Sequence, residues 1–78
     1  MGINKEQVVQ AVAEKVGPSV TVEAKLEKGV WRVTLRKEDK TAFFELKRGF
    51  MEDYFEKGEY QHEMAFDGRV NKALREIK

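Results

Sequence analysis

The stretch VTVEAKLEKGVWRVTLRKEDKTAFFELK, residues 20–47, decides the fold. Its apolar positions alternate, and two dipeptides, Lys28-Gly29 and Glu38-Asp39, interrupt the alternation where a hairpin needs a two-residue loop. Closing both loops sets one register. Leu26 then faces Trp31, Ala24 faces Val33 and Val22 faces Leu35; Leu35 faces Ala42, Val33 faces Phe44 and Trp31 faces Leu46. A slip by one residue would turn every one of these side chains to the wrong face, so turns and alternation fix each other. The expectation is a three-stranded antiparallel meander in the order 1-2-3.

Outward from this meander the chain reads as helices. Asn4 is a good N-cap, with Gln7 placed to complete a capping box and Ile3 to staple onto Val8. Val8, Val9, Val12 and Val16 make one stripe, and Gly17-Pro18 ends the helix. After the third strand, broken at Gly49, Phe50, Met51, Tyr54 and Phe55 recur at helical spacing up to Gly58. Residues 59–66 read as strand or loop, because Tyr60, His62, Met64 and Phe66 alternate with polar neighbours. A last helix is expected from Asp67 as N-cap, with Val70, Ala73, Leu74 and Ile77 on one side. The apolar stripes must cover the Trp31–Val33–Phe44 face. The whole chain, 1–78, is therefore expected to form a single small α+β domain in two layers, α-β-β-β-α-α, with the helices on one face of the sheet.

Composition narrows the function. Charged residues make up 37% of the chain at a net charge of +1, so both signs are interspersed. Residues 21–48 carry net +3 and residues 49–66 net −4. A basic sheet beside an acidic segment differs from the broad basic excess of a general nucleic-acid binder. There is no apolar run of the roughly 20 residues that span a bilayer, which leads to the expectation of a cytoplasmic protein without membrane contact. Met1-Gly2 opens like an acylation signal, but Glu6 stands where that motif needs Ser or Thr.

Catalytic chemistry has few carriers. His62 is the only histidine, Ser19 the only serine, and cysteine is absent. No nucleophile–base system follows from this set. Glu59, His62, Glu63 and Asp67 lack the paired histidines of an informative metal motif. The glycines are scattered, unlike those of a phosphate-binding loop. The expectation is a non-enzyme with no metal site and no cofactor.

Two surfaces remain for binding. On the outward sheet face, Lys25 falls opposite Arg32, and Phe43 is a lone aromatic among Arg32, Arg36 and Lys47. Such a face can stack bases and hold phosphates, joined by Arg69, Lys72 and Arg75 of the last helix. The other candidate is protein interaction, including a homodimer, through a sheet edge or the 50–66 segment, with Tyr54, Tyr60, Met64 and Phe66 as contacts. The leading expectation is a protein-interaction or self-association module; weak single- or double-stranded nucleic-acid binding is the alternative.

The order helix, three strands, helix is similar to that of double-stranded-RNA-binding domains. Those domains start the helix after the third strand with lysines that meet phosphate. Here that position reads Arg48-Gly49-Phe50-Met51-Glu52-Asp53, whose two acids suit a helix N-terminus and would repel phosphate.

Overall fold

The computed structural model describes residues 3–77. Helix α1, Lys5–Val16, begins with the expected capping box: Asn4 Oδ1 accepts from the Gln7 backbone N–H and Gln7 Oε1 accepts from the Asn4 N–H, each at 2.9 Å. Its last turn closes at Gly17, whose N–H donates to the Ala13 carbonyl at 3.0 Å. Strands β1 (Thr21–Glu27), β2 (Val30–Lys37) and β3 (Lys40–Lys47) form an open antiparallel sheet in the order β1-β2-β3.

Every cross-strand pair takes the register set by the two loops, from Leu26 opposite Trp31 to Trp31 opposite Leu46. Lys28 and Gly29 both have positive φ, 49° and 75°, the twist a two-residue hairpin needs. Glu38, at φ 56°, is the second non-glycine residue held in the left-handed region. At the far end of the sheet the Arg48 N–H donates to the Gly29 carbonyl at 2.9 Å, tying the third strand's exit to the first turn.

Strand β3 ends at Lys47 and passes into α2, Arg48–Lys57, without a loop, so Gly49 lies in the helix's first turn. Gly58, at φ 59° and ψ 29°, terminates α2 in the left-handed conformation that glycine adopts without penalty. The segment expected as strand or loop is helical. Helix α3 runs from Tyr60 to Glu76, 17 residues, and absorbs residues 60–66. Asp67 is accordingly not an N-cap but an interior helical residue. The reason lies in which residues are buried. Of the alternating set, Tyr60 is 75% exposed and Met64 56%, while Phe66 is fully buried. The stripe that seeks the core is Phe66, Val70, Ala73 and Ile77, spaced by four, three and four, which only a helix brings to one side.

Two layers result. α1 lies over β1, α3 lies over β3, and the two helices touch; α2 packs on β3 and α3. Between the layers Val8, Val12, Trp31, Val33, Leu35, Met51, Phe66 and Val70 form the centre of one apolar core, and no polar or charged residue among those described is buried. Asp67 pairs with Lys15 across the α1–α3 contact, and the same ammonium stands 5.7 Å from the Phe66 ring centroid. The hydrogen bond to Asp67 holds the Lys15 ammonium above the usual lysine range, against a smaller opposing effect of desolvation. Tyr54 packs against Phe66 with tilted rings whose centroids are 4.6 Å apart, and burial pushes its phenol up. Among the described residues no helix is long and apolar enough to cross a membrane.

Candidate interaction surface

The outward face of the sheet carries the predicted rows, and its two arginines are engaged. Arg32 Nη2 contacts Glu45 Oε2 at 3.1 Å, and Arg36 Nη1 lies 3.6 Å from Glu23 Oε1. Lys47 is exposed opposite Val30. Phe43, 66% exposed, sits opposite Thr34. Arg69 and Lys72 belong to the helical layer. They meet Phe43 only round the β3 edge, in a shallow hollow of about 240 Å³ shared with Phe44 and Glu45. There Arg69 Nη1 donates to the Glu45 carbonyl at 3.4 Å. Arg75 is exposed in the last turn of α3 and does not line that hollow. The seven residues proposed from the sequence for nucleic acid are thus divided between the sheet face, the β3 edge and the end of α3.

The four predicted protein contacts are divided too. Phe66 lies in the chain's own core, fully buried, and so offers nothing to a partner. A period of two puts Phe66 on the same side as the exposed Tyr60 and Met64, and the helix turns it inward instead. Tyr54 is half-buried between Phe55 and Phe66. Tyr60 and Met64, four apart on α3, are exposed. His62 is half-buried beside Phe50, their rings 5.8 Å apart. Its neighbours Glu59 and Asp67 are engaged by Gln61 and Lys15.

A larger concavity lies at the opposite edge. α1 and β1 are joined by the short turn at Gly17–Val20 and pack on each other. Between the first half of α1 and residues 22–27 of β1 lies a groove of about 950 Å³. Val9 of α1, Val22, Ala24 and Leu26 of β1, and Trp31 of β2 line its apolar side. Lys5 and Glu6 stand at the helix rim. Glu23, Lys25 and Glu27 line it from the outward face, so the groove wraps round the free edge of β1. Leu26 is 41% exposed although it points to the core face, and the Trp31 indole N–H is buried with no hydrogen-bond partner.

The backbone at this edge is unpaired for a reason of register. In a two-residue hairpin the residues flanking the loop exchange both backbone hydrogen bonds, so Glu27, Lys25, Glu23 and Thr21 direct theirs to β2. Val22, Ala24 and Leu26 direct theirs outward, along the groove. β1 is seven residues long, contains no proline and pairs with β2 without a bulge, so the common devices that blunt an edge are missing apart from its charges.

The groove was not among the expected sites. Its signal in the sequence is indirect: a meander must leave β1 as an edge, and the short α1–β1 connection must lay α1 against it. No protein-family profile, curated protein or solved structure matches this chain.

Proposed function

We propose that this chain is a small non-enzymatic interaction module that accepts an extended protein segment along the free edge of β1, beneath α1. The observation that carries the reading is the coincidence of two unmet needs at one place. Three outward-facing backbone units, at Val22, Ala24 and Leu26, lie beside half-covered apolar side chains from Val9, Val22 and Leu26. An added strand satisfies both: main-chain hydrogen bonds supply affinity and alternate side chains enter the groove. The charges at Glu23, Lys25 and Glu27 select which strands fit, since like charges directly opposite are destabilising.

A displayed library of random peptides panned against the protein tests this reading. Selected peptides should shift the amide resonances of residues 22–27, bind with little dependence on salt, and lose binding on Leu26→Asp while Phe43→Ala leaves it intact. Peptides that map to Phe43, Arg69 and Lys72, or a library that yields no binder, would remove it. Short single-stranded DNA in the same titration covers the alternative, nucleic acid on the Arg32, Arg36, Phe43 and Lys47 face. Binding there would weaken steeply as salt is raised.

A further inference from the structure

We infer that the strand seated on β1 is β1 of a second copy of this chain, paired antiparallel about a two-fold axis through Ala24. This rests on the reading of β1 as a strand-accepting edge and names the occupant. The sequence of β1, Thr21-Val22-Glu23-Ala24-Lys25-Leu26-Glu27, is self-complementary when reversed on itself. With Ala24 on the axis, Glu23 of each copy lies opposite Lys25 of the other, twice over. Val22 meets Leu26, Ala24 meets Ala24, and all seven residues are paired.

The neighbouring registers fail on charge or length. Centred on Lys25, the pairing sets lysine against lysine and Glu23 against Glu27. Centred on Glu23, it sets glutamate against glutamate. Centred on Leu26, it runs into the Lys28-Gly29 turn, and centred on Val22 it runs back into the loop at Ser19. Only the Ala24 register opposes unlike charges along the complete strand.

The backbone agrees with the charges. Val22, Ala24 and Leu26 are the residues whose N–H and C=O groups point outward, and in this register they pair only with one another. Three such pairs exchange about six hydrogen bonds, two per pair. Glu23 and Lys25 then fall at the non-hydrogen-bonded positions, where facing side chains come closest. The two-fold axis stands perpendicular to the sheet, so both helical layers stay on one side. The two grooves join into one, and Leu26 of each copy gains the cover that its own chain withholds. The contact is isologous and closes at two copies, leaving a six-stranded sheet with β3 at both ends.

Lys25 also finds an explanation here. Within its own chain it stands opposite Arg32, a like-charge pair. Across the axis it stands opposite a glutamate.

Sedimentation of the wild type, Lys25→Glu, Glu23→Lys and a one-to-one mixture of the two variants tests the proposal. The wild type should reach twice the monomer mass as concentration rises. Each variant alone, facing like charges at both copies, should associate about tenfold more weakly. The mixture should recover the wild-type affinity, because one copy then offers two glutamates and the other two lysines. Circular dichroism of each variant confirms that its fold is kept. A wild type that stays monomeric to millimolar concentration overturns the second-copy assignment, as does a dimer that ignores both charge reversals. A positive peptide selection beside a monomeric wild type would leave the strand-accepting groove standing and reject only this occupant.

Discussion

Lys25 and Arg32 face each other across β1 and β2 and turn away from one another: Lys25 Nζ lies 3.5 Å from Glu27, and Arg32 lies 3.1 Å from Glu45. Opposed cations on a sheet cost a few tenths of a kcal/mol, up to about 1. In dilute solution Lys25→Glu trades that opposition for an unlike pair with Arg32 and gives up the exposed contact to Glu27, so it should leave a net gain of a few tenths of a kcal/mol, read as a higher urea midpoint with an unchanged slope. The same substitution should weaken association at high concentration. A variant that gains stability while losing its partner separates the two roles of Lys25; a loss of stability in the dilute monomer would contradict the cross-strand account.

The meander was legible because two constraints with different origins agreed. Turn chemistry at Lys28-Gly29 and alternation on either side each specify the pairing of Leu26 with Trp31, and neither has to be guessed from the other. The start of α3 had no such redundancy. Tyr60, His62, Met64 and Phe66 satisfy a period of two as well as a chance arrangement on a helix surface, and only burial decides between them. The groove was hidden for another reason. Leu26 does point to the core face as its position requires, but its cover depends on how far α1 departs from the sheet, which no local pattern records.

Lys28 supplies a second test. It holds φ at 49° ahead of Gly29, a conformation that asparagine tolerates better than lysine. Lys28→Asn should raise stability by roughly 0.5–1 kcal/mol without altering the register. Thermal or chemical unfolding measures the gain, and a destabilised variant would count against the turn assigned here.

The helical assignment of residues 60–66 makes opposite predictions for neighbouring aromatic positions. Phe66→Ala removes a fully buried ring and should cost about 3–5 kcal/mol, a large fraction of the stability of a domain this size. Tyr60→Ala, at an exposed position six residues earlier, should stay within about 0.5 kcal/mol. Equal costs at the two sites would mean that the alternation, not the helix, is right.

Alkaline pH should loosen the α1–α3 contact. Lys15 is held above its ordinary range by its hydrogen bond to Asp67, and Tyr54 is raised by burial. Each group keeps its proton more firmly in the folded chain than in the unfolded one. The linked stability is complete below the unfolded values and falls as pH rises through the folded ones, so the decline should begin near pH 10, in the ordinary tyrosine and lysine range. Denaturant melts at stepped pH should show it. Lys15→Met should flatten the part due to lysine, and a slope unchanged by that substitution would place the titration elsewhere.

The most direct test of β1 as an open, strand-accepting edge is amide hydrogen exchange at Val22, Ala24 and Leu26, followed from micromolar to millimolar protein. The outward-pointing amides should exchange quickly in dilute solution and become protected as concentration rises, while Thr21, Glu23 and Lys25, already bonded to β2, stay protected throughout. Protection of Val22, Ala24 and Leu26 already complete at micromolar concentration and in Lys25→Glu, or exchange that never slows with concentration or with a selected peptide, would contradict the account.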